Sequence, residues 1–287
     1  MAKPCLPITA TLILMATLAA VGEGQSSENR TTIEVHSGSV TLHALLWRPA
    51  GKGPFPAILF NHGSGRSPEE LQRLGPYEDQ APIVGPVFAR HGYVFLYLFR
   101  RGVGLSADAG TSAIDLMSRE FTAHGQEARN ALQLKLLEDG DLTDALAGLA
   151  FLRKLPEVNT RKIAVIGQSF GGSLTLLIAE REPNLRALLC FSGSGYSWDR
   201  SPELRERLFA AVAKTQAPVF FIHAENDYSL RPGKELDARL AQLGKPHRLK
   251  IYPPIGKTLD DGHGFFYLGV KIWEPDVFAF LEEQMRK

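Results

Sequence analysis

The chain has 287 residues, of which 44% are hydrophobic and 22% are charged, proportions typical of an ordinary globular protein with a large core. The formal net charge is +1 and no long run of either sign occurs, so nothing indicates a nucleic-acid or anionic-membrane partner. Neither a repeat nor a low-complexity tract divides the chain, and we expect a single α/β domain over residues 25–287.

The N-terminus has a different composition from the rest of the chain. Lys3 precedes an apolar run from Leu6 to Val21, and small and polar residues follow, which is the layout of a signal peptide. The run is short for a membrane span, although an uncleaved anchor is the alternative. We therefore predict that residues 1–24 are a signal peptide and that the mature protein is periplasmic or secreted, without membrane attachment after cleavage. Cys190 would then be its only cysteine, which allows no internal disulfide.

The first predicted elements of the mature chain form a hairpin. Two strand-like segments lie within residues 32–49, and a Ser-Gly-Ser turn joins them. Buried strands follow at 57–60 and 93–99, because each is a short, continuous apolar run that ends in polar or glycine-rich sequence. The stretch between these strands is rich in proline, which predicts an irregular insertion with short helices at 68–74 and 87–91.

Buried strands alternate with amphipathic helices in the second half of the chain. Residues 107–139 have no strand signal and are helical in composition from Arg119 onward, which favours a small helical lid insertion. A helix at 141–155 with Asp141 as its N-cap comes next. Strands are then predicted at 163–166, 187–191, 218–224 and 249–252, and helices at 202–214, 233–243 and 274–286. This alternation predicts a mostly parallel central sheet of about eight strands with helices on both faces.

One strand-to-helix corner contains the candidate nucleophile. The apolar strand at 163–166 meets the pattern G-x-S-x-G at 167–171, and leucines at helical spacing follow with almost no loop between. A serine at such a corner, here Ser169, is held in a strained backbone conformation with its hydroxyl pointing out of the fold. The alternative role for this serine is that of an ordinary helix N-cap.

A serine hydroxyl is a poor nucleophile without a base, so the chain must also supply a histidine. In folds with this corner, the base follows the nucleophile in the chain. Three histidines follow Ser169, of which His223 lies within a predicted strand and His247 opens another. His263 lies in a glycine-flanked loop after a strand, which makes it the candidate base.

The base needs an acid that orients it, and the acid lies between nucleophile and base along the chain. Asp227 directly follows the strand predicted at 218–224 and is the candidate. Glu225 is the nearest alternative. Asp260 and Asp261 are so close to the base in sequence that we expect them to shape its loop instead.

Attack on a carbonyl group also requires hydrogen-bond donors for the developing oxyanion. The backbone N–H of Phe170, at the start of the helix, is the first candidate. The second is the N–H of Ser64, with Gly65 as the alternative, because the glycines after the strand at 57–60 let the backbone approach a substrate. We expect the side chain of His62 to hold this loop, since it precedes the nucleophile in the chain.

Further residues are candidates for substrate contact. Arg100 and Arg101 end the strand at 93–99 and could bind a substrate carboxylate, although ion pairing within the loop is the alternative. Tyr196, Trp198 and Tyr228 follow site strands and either line an acyl pocket or pack structurally. No group of His, Cys or carboxylate residues has metal-ligand spacing, so neither a metal nor an organic cofactor is predicted.

Four motifs together resemble a known family. NHGSG at 61–65, GQSFGG at 167–172, the loop that contains Asp227 and GHGF at 262–265 resemble the α/β-hydrolase superfamily, and more narrowly its dienelactone-hydrolase-like branch. The resemblance covers most of the mature chain, from about residue 32 to residue 286.

Dienelactone hydrolases proper have a cysteine nucleophile where Ser169 stands, which favours a serine esterase over a hydrolase of dienelactones. The resemblance implies an α/β-hydrolase fold with a lid insertion at 107–139, and an exported enzyme that cleaves carboxylic esters through an acyl-enzyme. A small-molecule ester or a short peptide would be its substrate. A peptidase or amidase with the same triad is one alternative, and a non-catalytic binding protein on a hydrolase scaffold is the other.

Overall fold

The computed structural model describes residue 1, residues 30–65, residue 72 and residues 75–287. The predicted signal peptide at 1–24 and nearly all of the predicted helix at 68–74 lie outside the described residues, and both stay predictions. No helix within the described ranges combines the length and the apolar character that a membrane span requires.

The described residues contain one eight-stranded sheet. Its strands are β1 (Arg30–Ser37), β2 (Val40–Trp47), β3 (Phe55–Asn61), β4 (Val94–Leu98), β5 (Val158–Gln168), β6 (Ala187–Phe191), β7 (Val219–Ala224) and β8 (His247–Tyr252). Their order across the sheet is β1-β2-β4-β3-β5-β6-β7-β8. The β1/β2 and β2/β4 pairs are antiparallel and all others are parallel. The predicted sheet of about eight mostly parallel strands, with a hairpin at its edge, is confirmed.

Helices cover both faces of this sheet. They are α1 (Tyr77–Arg90), α2 (Ala113–Glu138), α3 (Gly140–Lys154), α4 (Phe170–Arg181), α5 (Pro202–Lys214), α6 (Arg231–Gln242), α7 (Leu259–His263), α8 (Phe265–Leu268) and α9 (Val270–Arg286), with a 3₁₀ segment at Gly104–Ala109. Helices α2 to α6 pack on one face, and α1, α8 and α9 pack on the other. Along β3, Ala57 and Leu59 point to the first face and Ile58 and Phe60 to the second. A strand buried on both faces must be apolar throughout, which explains the continuous apolar runs in the sequence.

Helix α1 is longer than predicted. It contains Pro82 and Pro86, and the sequence analysis treated prolines as helix breakers and placed a helix only at 87–91. The structure keeps the helix across both prolines because its apolar side, which includes Val84 and Phe88, is buried against the sheet. Tertiary packing here outweighs the local cost of proline.

Two further details of the helical segments correct the sequence analysis. Asp141 is not an N-cap, because α3 begins one residue earlier and the buried Asp141 side chain instead accepts a hydrogen bond from Arg100 at 2.9 Å. The segment predicted to be a lid insertion is helical from Ala113, where the Ser112 side chain caps α2 by accepting from the Asp115 N–H. Gly125, at φ 84° and ψ −170°, then divides α2 into two arms.

The corner between β5 and α4 is an unusually close backbone contact. A Cβ on Gly167 would lie 2.0 Å from the carbonyl oxygen of Gly171, and a Cβ on Gly171 would lie 2.0 Å from the carbonyl oxygen of Asn61. Only glycine fits at either position, because the obstructing atoms are backbone atoms that cannot rotate away. The two glycines therefore let α4 start directly against the end of β3.

We expect Gly171→Ala to lower the free energy of unfolding by about 2 kcal/mol or more, because overpacking against backbone forces a shift of β3 or α4. Gly140→Ala is the matched control, since a Cβ there meets no atom closer than 3.5 Å in the first turn of α3. The control should be neutral or stabilising by up to about 1 kcal/mol. Urea unfolding of both variants measures the difference, and equal stabilities would contradict this account of the corner.

Candidate active site

Ser169 occupies the corner between β5 and α4 in a conformation that few residues other than glycine adopt, with φ 56° and ψ −119°. Its N–H donates to the Phe191 carbonyl of β6 at 2.9 Å, and its own carbonyl accepts from Gly172 at 2.9 Å. These two hydrogen bonds hold the backbone on either side of the strained residue. The Oγ of Ser169 lies 2.8 Å from Nε2 of His263.

His263 reaches Ser169 from the end of α7, a short helix where the sequence analysis expected a loop. A capping box begins this helix, because the Thr258 side chain accepts from the Asp261 N–H while the Asp261 carboxylate accepts from the Thr258 N–H. Nδ1 of His263 lies 2.7 Å from Oδ1 of Asp227. An ionised carboxylate only accepts hydrogen bonds, so Nδ1 carries the proton and Nε2 is left to accept from the serine hydroxyl.

Asp227, rather than the other acids considered, contacts the histidine. It is buried just beyond the end of β7, and its Oδ1 also accepts from the Tyr228 N–H at 2.7 Å. Glu225 is exposed. Asp261 caps α7, and Asp260 is hydrogen-bonded to the Tyr228 hydroxyl, so both shape the segment that holds the base.

A second histidine, which sequence reasoning missed, contacts the other oxygen of this carboxylate. His223, buried in β7, has its Nδ1 2.7 Å from Oδ2 of Asp227. Burial alone would raise the pKa of Asp227, but the hydrogen bonds from His223 and His263 and the electrostatic attraction between the carboxylate and these two imidazoles outweigh it and hold that pKa well below the usual aspartate value. The sequence signal that could have identified His223 is its position: it lies near the end of β7, four residues before Asp227.

The loop after β3 is held by Arg100 and His62. The carbonyl oxygen of Gly63 accepts from Arg100 Nη2 at 2.6 Å and from His62 Nδ1 at 2.7 Å, and His62 Nε2 accepts from the Arg100 backbone N–H at 3.1 Å. The N–H and C=O of a trans peptide point in opposite directions, so the Ser64 N–H points away from Arg100. Ser64 and Phe170 both line the same cavity as Ser169. Phe170 is the first residue of α4, so its N–H has no partner within the helix.

The placement of Arg100 corrects the expectation that it contacts substrate. The side chain is 2% exposed, is absent from the cavity lining and pairs with Asp141 at 2.9 Å. Arg101 likewise pairs with Asp144 at 2.5 Å. The ion-pair alternative therefore describes both arginines, and Arg100 acts on the backbone of the loop.

A cavity of about 390 Å³ lies in front of Ser169 and His263. Its lining includes the apolar or aromatic side chains of Ile114, Met117, Phe121, Tyr267 and Leu268, and the polar side chains of Gln126, Arg129, Gln133, Ser194 and Ser197. The arm of α2 before Gly125 contributes Ile114, Met117 and Phe121, and the arm after it contributes Gln126, Arg129 and Gln133. Of the aromatic residues for which pocket lining and structural packing were both open, Tyr196 and Tyr228 line the cavity, whereas Trp198 is buried and donates to Glu235 at 3.0 Å.

Among the described residues that line this cavity, Arg129 is the one arginine or lysine, and the sequence did not indicate it. Its Nη1 donates to Gln133 at 3.1 Å and its guanidinium lies 5.6 Å from the Tyr196 ring centroid. Burial lowers the pKa of Arg129, Tyr196 opposes that effect and Arg200 adds to it. Among the residues that the structure describes, no carboxylate forms an ion pair with Arg129. A guanidinium in this position can bind an anionic group of a ligand.

The arrangement contains the groups that acyl transfer requires: a hydroxyl, a base in contact with it, an acid that orients the base, and backbone donors beside the hydroxyl. Within the described ranges, no three His, Cys, Asp or Glu side chains are grouped so that they could hold a metal ion.

Comparison with known proteins identifies the family of the chain. Residues 78–270, more than half of the chain, match the dienelactone hydrolase family. No curated protein sequence matches the chain.

Several solved structures share the fold at low sequence identity. The structure of an acylaminoacyl peptidase of Pyrococcus horikoshii is 18% identical with a TM-score of 0.61, over 90% of this chain and 41% of that one. An esterase of Pyrococcus furiosus is 17% identical with a TM-score of 0.60, over 91% and 94% of the two chains. A dienelactone hydrolase of Anabaena variabilis is 20% identical with a TM-score of 0.56, over 86% and 97%. The chain therefore spans about two fifths of the length of the peptidase and nearly all of the esterase and of the dienelactone hydrolase. It has the α/β-hydrolase fold that these structures share.

The low pKa of Asp227 predicts a specific effect of pH on stability. A carboxyl whose pKa is lower in the folded state stabilises the fold fully above the pKa of an unfolded aspartate, about 4, and loses that contribution as the pH falls further. The free energy of unfolding of wild type should fall when the pH is lowered from about 6 to about 3, and it should fall less in Asp227→Asn. Asp108→Asn, at an exposed position, is the control and should keep the wild-type loss. Urea unfolding at both pH values is the measurement, and the same loss in D227N as in wild type would contradict the assignment.

Proposed function

The chain belongs to the dienelactone hydrolase family, and from that membership and the site geometry we propose that it is an exported serine hydrolase that cleaves carboxylic esters through an acyl-enzyme on Ser169. The observation that supports the proposal most is the continuous hydrogen-bonded series from Ser169 through His263 to Asp227, with distances of 2.8 Å and 2.7 Å, at the floor of a cavity. Export is proposed from the sequence of residues 1–24 alone.

In the first step, Ser169 Oγ attacks the carbonyl carbon of the ester while Nε2 of His263 takes the hydroxyl proton. The carbonyl π electrons move onto oxygen, and the N–H groups of Phe170 and Ser64 donate to that oxyanion. The oxyanion then collapses, the bond to the alcohol oxygen breaks, and His263 gives the proton to the leaving alcohol. The acyl group remains on Ser169.

In the second step, a water molecule attacks the acyl carbon and His263 removes its proton. The tetrahedral intermediate collapses, His263 returns the proton to Ser169 Oγ, and the carboxylic acid leaves. Throughout, Asp227 keeps the ring in the orientation and tautomer that this cycle needs and stabilises its transient charge. Arg100 acts indirectly, since it fixes the Gly63 carbonyl and thereby the direction of the Ser64 N–H.

The cavity supports a proposal about which esters fit. The lining combines apolar side chains with Arg129, which has no carboxylate partner among the described side chains. An ester with an apolar part and a carboxylate on its other part would be complementary to both kinds of lining. A peptidase or amidase with the same triad is the second candidate, because a similar fold occurs in an acylaminoacyl peptidase.

We expect Ser169→Ala to abolish hydrolysis of p-nitrophenyl esters while leaving the fold intact, because the variant lacks the nucleophile but keeps the close contacts of the corner. The loss should be about 10³-fold or more in kcat. Esterase assays and circular dichroism on wild type and S169A measure the two effects. Ser39→Ala, in the exposed turn between β1 and β2, is a control that keeps a hydroxyl at position 169. A folded S169A variant with wild-type turnover would contradict the proposal, and faster cleavage of aminoacyl anilides than of esters by wild type would favour the peptidase.

We expect Arg129→Leu to lower kcat/KM about tenfold for an ester that carries a carboxylate, such as p-nitrophenyl hemisuccinate, because a charge-assisted hydrogen bond is lost. Hydrolysis of the neutral p-nitrophenyl butyrate should change little. Arg200→Leu is the matched control, since Arg200 also stacks on Tyr196, at 4.2 Å, but does not line the cavity. Equal losses for both esters would contradict anion recognition by Arg129.

A further inference from the structure

The carboxylate of Asp227 is held by donors at both of its oxygens. Oδ1 accepts from Nδ1 of His263 at 2.7 Å and from the Tyr228 N–H at 2.7 Å, whereas Oδ2 lies 2.7 Å from Nδ1 of His223. The side chains of Asp227 and His223 are 0% and 1% exposed, so water does not compete for these positions. Since the carboxylate only accepts, Nδ1 of His223 carries a proton as well.

The fold makes room for this second ring. His223 points from β7 towards the first turn of α6, where a Cβ on Gly233 would lie 2.5 Å from Nε2 of His223. Phe221 and Cys190 line the small void beside the ring. Glycine at position 233 therefore allows the imidazole to lie between the sheet and the helix, in reach of Asp227.

Among the described residues, few charged or titratable groups lie beside these two histidines. Asp227 and the thiol of Cys190 face His223, and burial raises the pKa of that thiol, which keeps it neutral. Tyr228 and Asp260 face His263: the Tyr228 ring centroid lies 4.3 Å from that of His263, and its hydroxyl is hydrogen-bonded to Asp260. Asp227 is the anion that both histidines share.

We propose that His223 is a positioning residue of the hydrolytic site, which fixes the second oxygen of Asp227 and so sets how strongly that carboxylate binds the proton of His263. This role rests on the proposed function. A carboxylate that is bonded at both oxygens cannot rotate away from His263, and its negative charge is divided between two N–H donors. Without His223, the whole negative charge of Asp227 acts on His263. His263 then keeps its second proton to a higher pH, so it is neutral and able to act as base over a narrower pH range.

Two substitutions separate positioning from simple packing. His223→Leu removes the donor and keeps most of the volume, whereas His223→Asn places an amide N–H at the position of Nδ1. Phe221→Leu, on the same face of β7, reduces packing beside the ring without changing any donor to Asp227. Gly233→Ala displaces the ring without altering it, and it serves as the second probe if H223L does not fold.

The experiment measures the rate of labelling by a fluorophosphonate as a function of pH for the full chain. In the reaction, the Oγ of Ser169 forms a bond to phosphorus, fluoride leaves, and His263 takes the hydroxyl proton. We expect the acid limb of the wild-type profile to move to higher pH in H223L, by on the order of half a pH unit. The limb should move in the same direction in G233A and stay at the wild-type position in H223N and F221L.

The outcomes distinguish the two levels of the proposal. If wild type is labelled and H223L has the same acid limb as wild type, the role of His223 is refuted and the proposed function stands. G233A takes the place of H223L in this comparison if H223L does not fold. The role is also refuted if H223N moves the limb as far as H223L or if F221L moves it equally, because packing would then explain the shift. If wild type is not labelled at Ser169, the proposed function fails and the role of His223 fails with it.

Discussion

The close backbone contact at the β5–α4 corner is the constraint on which the rest of the site depends. Gly171 touches the carbonyl of Asn61, so the helix that follows Ser169 begins directly beside the loop that follows β3. This contact brings Ser169 and the Ser64 N–H to the same edge of the sheet. The cost is the strained backbone of Ser169, at φ 56°, which the hydrogen bonds to β6 and within the corner maintain.

The parallel sheet explains why residues far apart in the chain meet at this edge. Strands β3, β5 and β7 run in the same direction, so the loops after their carboxyl ends lie side by side. Rigid partners then fix each loop: Arg100 holds the β3 loop, His223 holds Asp227, and a capping box holds the segment of His263. The site is therefore organised before a substrate binds, which is the condition for electrostatic stabilisation of an oxyanion.

The sequence predicted the sheet because buried parallel strands are apolar throughout, and it predicted Ser169, Asp227 and His263 because each follows a strand in the order that the chemistry requires. Arg129 and His223 were missed for different reasons. The direction in which Arg129 points depends on the break at Gly125 and on how α2 packs, neither of which is local. His223 was set aside because it lies within a strand, yet the last residues of a strand can reach the loop that follows. Arg100 was misassigned because a buried arginine that binds backbone carbonyls has no sequence signature.

The central claim is that the acyl group of an ester passes through Ser169. The most direct measurement mixes the protein with an excess of a p-nitrophenyl ester, quenches with acid within the first turnover, and locates the acyl group by mass spectrometry of the digested chain. The account predicts a burst of about one p-nitrophenol per chain and an acyl group on the peptide that contains Ser169. An acyl group on a different residue, or a burst of p-nitrophenol that persists in S169A, would contradict it.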